Sequence, residues 1–327
     1  MRAVVADQPG GVEALRIVDR PVPVPADDEV LVAVRATSVN RADVMQRQGN
    51  YPPPPGASDI LGLEVAGEVV ETGAAVAQWR PGDRVCSLLA GGGYAEYATV
   101  PARTALPLPA GMPWTEAGGL AEVFCTAHDN LVVRGRLQAG ETVLVHGVAS
   151  GVGTAATQLA VRAGAEVIGT ASSTRKLDAA TGLGARGGID YTSEDFVERV
   201  GDLTGGRGVD VILDVVGGPY LQRNLDALAP EGRLVIVGLQ GGTRAELSLR
   251  QLMSGRLTVT GSTMRARSVD AKAEVAQRMR TDVMPGFADG ALRVVIDSVF
   301  PLEQVADAHR ALEAGDHVGK VILTLGS

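Results

Sequence analysis

The chain has 327 residues, 45% hydrophobic but only 3% aromatic, with 42 glycines and a formal net charge of −8. That length predicts two domains, and such a composition must build its cores from Val, Leu, Ala and Ile. The acidic balance and the lack of a basic run argue against nucleic acid as a partner. No apolar run reaches the 18 residues of a membrane span, and the opening MRAVVADQPGG lacks a signal-peptide core, so a cytoplasmic protein with no membrane partner is expected.

Residues 1 to about 115 read as mainly β. Short strands are predicted at Arg2–Ala6, Leu15–Val18, Glu29–Ala36, Val65–Val70, Arg84–Leu88 and Tyr94–Val100, with turns at Pro81-Gly82-Asp83 and Gly91-Gly92-Gly93. This spacing suggests a small barrel-like domain. A short helix over Asn40–Gln48 interrupts it, followed by Tyr51 and four prolines, Pro52–Pro55. Consecutive prolines exclude helix and central strand, so the loop is stiff and extended and holds Tyr51 in place.

From about Glu116 the pattern changes. A helical pair over Trp114–Val133 leads into alternating strands and helices. The strands are Thr142–His146, Glu166–Thr170, Gly188–Asp190, Val209–Val216, Arg233–Gly238 and Leu257–Gly261. Six strands in that alternation predict a doubly wound parallel sheet. A helix over Val269–Phe287, a strand Val294–Phe300, a helix Leu302–Glu313 and a strand Val318–Leu325 look like a return to the first domain. The expected division is 1–117, 118–262 and 263–327, a β-rich domain whose last part follows an inserted α/β domain.

The stretch Glu141–Lys176 carries the clearest chemistry. Gly151-x-Gly153-x-x-Ala156 lies between the first two strands of a βαβ unit, with a helix predicted over Thr154–Ala163. The glycines permit a tight turn and close approach of a dinucleotide pyrophosphate, which sits at the helix N-terminus where N–H groups are unpaired. The second strand then runs into Ala171-Ser172-Ser173-Thr174-Arg175-Lys176, with hydroxyls and cations where an NAD site has an acid. Two charge-assisted hydrogen bonds at roughly 1.5–3 kcal/mol each would favour NADPH over NADH by about a hundredfold or more.

The order of domains and four motifs resemble the zinc-independent quinone oxidoreductases of the medium-chain dehydrogenase/reductase superfamily, most closely the p53-inducible quinone oxidoreductase branch. The motifs are Asn40–Gly73 (NRADVMQRQGNYPPPPGASDILGLEVAGEVVETG), Gly91–Pro101 (GGGYAEYATVP), His146–Ala160 (HGVASGVGTAATQLA) and Gly319–Leu323 (GKVIL). The resemblance implies a GroES-like β-rich catalytic domain joined to a Rossmann domain. Zinc alcohol dehydrogenases carry a Cys near the position of Asn40 and Gly-His-Glu where this chain has Gly62-Leu63-Glu64, so no metal is expected. His128, His146, His309 and His317 have no ligand spacing, and His146 reads as the end of the first cofactor strand. Cys86 and Cys125 imply no disulfide framework.

Without a metal to polarise an alcohol, the implied reaction is reduction of a conjugated acceptor, a small-molecule quinone, by NADPH. An enone, alkenal or enoyl substrate is the alternative, and a non-enzymatic cofactor-binding protein a third reading. By resemblance, Tyr51 lies over the nicotinamide side of the cleft as a cofactor contact, positions the acceptor and can give it a proton, with Asn40 and Asp43 nearby and Ser150 lining the site. The resemblance assigns Ser150, Gly151, Val152, Gly153 and Thr154 to the phosphate turn, and Ser173, Lys176 and Tyr191 to the 2′-phosphate. Gly238 and Leu239 fall by the nicotinamide half, and Lys320 close to the cofactor. A homodimer paired through the last Rossmann strand is expected from the family. No contact is carried over onto Ser262–Arg265.

Overall fold

The structure, a computed structural model, describes residues 1–326. The chain forms two compact units, one of Met1–Cys125 with Met264–Ser327 and one of Thr126–Thr263. The first break falls later than 117/118 because the helix Ala121–His128 begins in the first unit. There the Glu122 N–H donates to Glu64 Oε2 at 2.9 Å, and Phe124 meets Phe287 edge-on with ring centroids 4.8 Å apart.

In chain order, the strands before residue 126 are β1 (Arg2–Ala6), β2 (Leu15–Asp19), β3 (Glu29–Val39), β4 (Glu64–Thr72), β5 (Arg84–Leu88), β6 (Tyr97–Pro101) and β7 (Leu106–Pro107). The second unit contributes β8 (Thr142–His146), β9 (Glu166–Ala171), β10 (Gly187–Asp190), β11 (Val209–Asp214), β12 (Leu228–Ile236) and β13 (Thr258–Gly261). The return supplies β14 (Ile296–Pro301) and β15 (Lys320–Thr324).

The first unit's large sheet runs β14-β15-β3-β4-β5-β7, with β6 also on β3. β3 extends to Val39, past the predicted end at Ala36, because β15 pairs antiparallel with its far half, Val321 opposite Val39 and Ile322 opposite Ser38. That register sets Lys320, at the start of β15, beside Asn40. The core under it is aliphatic, Val4, Val32, Val65, Val305 and Val321 among others, with Tyr94 as a buried aromatic. Asn40 stands outside the predicted helix as the residue preceding Arg41–Arg47, and its N–H is held by Asp43 Oδ2 at 2.8 Å.

The second unit is the doubly wound sheet, ordered β10-β9-β8-β11-β12-β13 with every pairing parallel. In this order the connections after β8 and β11 leave in opposite directions, opening a crevice at the strand carboxyl ends. Leu144, Ile168, Ile189, Ile212 and Leu234, one from each of five strands, form the core. The helix after β8 starts at Gly151 rather than Thr154, so both fingerprint glycines lie in its first turn. A Cβ on Gly153 would lie 2.3 Å from Gly147 O and 2.6 Å from Val148 C, so only glycine lets this helix approach the strand. The helix Leu249–Gly255 was not expected. Its apolar residues Leu249, Leu252 and Met253 share one face at i, i+3 and i+4, and none of them is buried.

Candidate active site

In the second unit, Ser150 caps the helix Gly151–Arg162, its Oγ accepting from Gly153 N at 3.0 Å. Among the described residues, nothing accepts from the N–H groups of Gly151 and Val152, which leaves two donors at a helix N-terminus for an anion. Thr154 differs from expectation. Its N–H donates to Ser150 O at 2.8 Å and its hydroxyl to Gly151 O at 3.0 Å, so both polar groups are turned into the helix. At the end of β9, Lys176 Nζ donates to Ser172 Oγ at 2.9 Å. Ser173 precedes the helix Thr174–Thr181 without capping it by its side chain. Tyr191 follows β10, half-exposed, with its N–H on Ala171 O at 3.1 Å. The structure therefore gathers Ser172, Ser173, Lys176 and Tyr191 at one corner. Gly238 and the exposed Leu239 follow β12, which ends at Ile236, earlier than predicted.

Below this crevice lies a buried hydrogen-bonded chain. His146 Nε2 meets Asn224 Oδ1 at 2.7 Å and His146 Nδ1 meets Thr170 Oγ1 at 3.0 Å. The Asn224 carbonyl fixes the ring proton on Nε2, so Nδ1 accepts from the hydroxyl. Asn224 Nδ2 donates to Asp214 Oδ2 at 3.1 Å, and Asp214 Oδ1 accepts from Val216 N at 2.7 Å, shaping the turn after β11. Burial pushes His146 down to about 4 and Asp214 up to about 6. His146 is thus a neutral strut of the sheet.

In the first unit a polar cluster lies beneath the Tyr51 loop. Glu64 is buried and accepts from Lys320 Nζ at 3.1 Å, Asn40 Nδ2 at 3.1 Å, Glu122 N at 2.9 Å and the Ser38 hydroxyl. Lys320 Nζ also donates to Asn40 Oδ1 at 2.6 Å. Both ends of the Asn40 amide are therefore used inside the cluster, and the Lys320 ammonium is almost wholly buried in it. Lys320 and Glu64 thus form an ion pair, and Asn40 braces it. Asp43 accepts from Asn40 N and, at 3.2 Å, from Gly62 N, and burial pushes its carboxyl up to about 6.

Tyr51 is half-buried, and burial raises its phenol above the ordinary value of 10.0 while the Arg265 charge opposes the rise. Arg265 holds the loop. Its guanidinium lies 5.3 Å from the Tyr51 ring centroid and donates to Tyr51 O at 3.0 Å, Ala90 O at 2.7 Å and Gln46 Oε1 at 2.6 Å. Lys272 in turn donates to Arg265 O at 2.7 Å. Nothing in the sequence singles out Arg265 or Glu122. The one weak signal is the charge of Glu122 inside the apolar run Leu120–Cys125. Among the described residues, no three His, Cys, Asp or Glu side chains come together as metal ligands.

Residues 26–110 match the alcohol dehydrogenase GroES-like domain family, and residues 151–281 the zinc-binding dehydrogenase family. The chain belongs to the medium-chain dehydrogenase/reductase superfamily. It is 33% identical over 330 residues to a quinone oxidoreductase of Lama guanicoe, covering 99% of this chain and 98% of that one. The Escherichia coli quinone oxidoreductase complexed with NADPH matches with a TM-score of 0.90 at 30% identity, covering 99% and 100% of the two chains. A structure described as an NAD-dependent alcohol dehydrogenase matches at 0.89 and 33% over 100% of both chains. The enoyl-reductase-type cyclopropanase CurF of curacin A biosynthesis matches at 0.88 and 28% over 99% of both.

Proposed function

We propose that this oxidoreductase reduces quinones with NADPH and without a metal. The observation that carries the reading is the Lys176–Ser172 pair at 2.9 Å at the end of β9, in a segment, Ala171–Lys176, that contains no acid. Those residues fit a 2′-phosphate and offer an NAD ribose no carboxylate acceptor. The quinone substrate is supported by the names of relatives similar over nearly the full chain. Metal independence is supported by Asn40 and Leu63, neither of which can replace a Cys or His ligand, and by the ammonium that already compensates Glu64.

Bound NADPH would supply the hydride. The Gly151 and Val152 N–H groups hold the pyrophosphate, and Ser173, Lys176 and Tyr191 surround the 2′-phosphate. Gly238 and Leu239 border the nicotinamide half. Ser150 Oγ is engaged as an acceptor by Gly153 N, so its own proton is left to donate to a ligand. Tyr51, fixed by Arg265, orients the acceptor. A two-fold pairing through the β13 edge belongs to this reading, supported by the neighbouring exposed Leu249 and Met253.

NADPH oxidation measured with 1,2-naphthoquinone, with a 2-alkenal and, in reverse, with alcohols and NADP⁺ tests it. Quinone turnover is expected to dominate. Dominant alkenal turnover would favour the second reading, which the CurF likeness supports; dominant alcohol oxidation would overturn both.

A further inference from the structure

A buried carboxylate, Asp214, stands at the root of two neighbouring loops of the second unit, those that follow β11 and β12. Its Oδ1 accepts from Val216 N at 2.7 Å and Gly217 N at 3.2 Å, and its Oδ2 from Gly217 N at 3.1 Å and Asn224 Nδ2 at 3.1 Å. Its main-chain oxygen accepts from Val237 N at 2.7 Å and Gly238 N at 3.2 Å. One residue thus holds the first loop by its side chain and the second by its backbone.

The two loops are also joined to each other. Gly241 N donates to Val216 O at 2.8 Å, Gly218 N to Gly242 O at 3.0 Å and Gln240 N to Val215 O at 3.3 Å. A Cβ on Gly217, whose φ is +78°, would lie 2.8 Å from Leu239 Cδ2, and one on Gly238 would lie 2.7 Å from Val215 O. Only glycine permits so close an approach, and the two loops form one wall.

On its other side Asp214 ends a chain of donors that begins at the phosphate turn. Gly147 N donates to Thr170 Oγ1 at 3.4 Å, the Thr170 hydroxyl to His146 Nδ1, His146 Nε2 to Asn224 Oδ1, and Asn224 Nδ2 to the carboxylate. Every bond points towards the acid, and a carboxylate, which only accepts, is the group that closes such a chain. Thr170, His146, Asn224 and Asp214 are all fully buried, where such bonds reinforce one another.

We propose that Asp214 is a positioning residue for the nicotinamide half of the cofactor: it sets the wall made by the two loops, and Asn224, His146 and Thr170 fix that wall relative to the turn that holds the pyrophosphate. This rests on the NADPH reading above, in which Gly238 and Leu239 border the nicotinamide. The 2′-phosphate corner is held separately, by the Lys176–Ser172 bond.

Asp214→Asn keeps the shape but turns an amide donor towards either Gly217 N or Asn224 Nδ2, so one bond is lost. Its affinity for NADPH should fall roughly tenfold, while that for 2′,5′-ADP, which lacks the nicotinamide, should stay within about twofold. The fluorescence of bound NADPH should move towards that of the free cofactor, and kcat with 1,2-naphthoquinone should fall roughly 10- to 100-fold through misalignment. Combining Asp214→Asn with Asn224→Asp exchanges acid and amide, rebuilds every bond of the chain and should recover most of the NADPH affinity. Thr170→Val cuts the chain at its other end, leaves the acid untouched and should show the same split between the two ligands in smaller degree.

A second readout needs neither substrate nor cofactor. In the ligand-free protein, Asp214→Asn should speed amide hydrogen exchange in residues 215–218 and also in 237–242, which its side chain does not touch, with β8 and β9 unchanged. Equal losses for NADPH and 2′,5′-ADP in either single variant, a double variant no better than Asp214→Asn, or faster exchange confined to 215–218 or spread over the whole unit would each overturn the assignment. If wild type preferred NADH or reduced no quinone, the reading above would fail; the same split, measured between NADH and AMP, and the exchange pattern would still decide the role of Asp214.

Discussion

Lys320 and Glu64 form an ion pair at 3.1 Å, with only 3% and 1% of their side chains exposed. A charge so placed is tolerable only with its partner, because removing one member leaves the other uncompensated. Lys320→Met should therefore cost about 3–5 kcal/mol in urea unfolding. Adding Glu64→Gln to the same chain should recover part of the loss. A double mutant no more stable than Lys320→Met would show that the pair is not the source.

Lys176→Ala separates the two nicotinamide cofactors. The substitution removes one charged donor from the corner formed by Ser172, Ser173 and Tyr191, so NADPH affinity should fall roughly 10- to 100-fold. NADH affinity should stay within about twofold, since NADH has no phosphate at that corner. Calorimetric titration of both cofactors reads this directly, and equal losses would dismiss the 2′-phosphate role.

Arg265 holds the Tyr51 loop, which makes it a positioning residue. Arg265→Lys retains charge but cannot reach three divergent oxygens. The KM for the acceptor should rise on the order of tenfold, with little change in NADPH affinity, at roughly 1.5–3 kcal/mol for a charged hydrogen bond. Unchanged steady-state kinetics with only a lowered melting temperature would make the contact purely structural.

The buried histidines should lose their contribution to stability in acid. His146 is pushed down to about 4 and His309 to about 3, both chiefly by burial. Both folded values lie below the ordinary 6.5, so the unfolded chain binds more protons as pH falls. The corresponding stability is complete above pH 6.5 and is lost through pH 4 and then 3, with His146 accounting for roughly 3 kcal/mol. Asp43 and Asp214, held up near 6, act in the opposite direction, so the histidine contribution is read as a difference: the gap between the urea midpoints of wild type and His146→Asn should shrink as pH falls from 6.5 to 4.

Much of the fold was legible because its cause is local. Val143 to Val145 and Ile212 to Leu213 are unbroken apolar runs, and such runs become strands covered on both faces. The glycine turn carried its own explanation in Gly153, where no side chain fits. The helix Leu249–Gly255 has Leu249, Leu252 and Met253 on one face, but at 7 residues it is too short for its period to stand out from a loop.

The site was legible only where neighbours in space are neighbours in sequence, as in Ser172–Lys176. The cluster of Asn40, Glu64, Glu122 and Lys320 joins four distant stretches, and a residue-by-residue reading assigned Asn40 and Lys320 to ligands rather than to each other. Arg265 and Tyr51, likewise distant, could be paired only in three dimensions.

The register of β15 against β3 also constrains how the molecule is made. During synthesis β3, β4 and the helix Arg41–Arg47 emerge long before β15, and the whole second unit is translated in between. Throughout that interval Glu64 has no counter-charge and the β3 segment Thr37–Val39 has no strand paired to it. The first unit is thus obliged to wait, half assembled, for the last strand of the chain, and loss of the few residues from Lys320 to Thr324 would leave a buried anion and an open sheet edge.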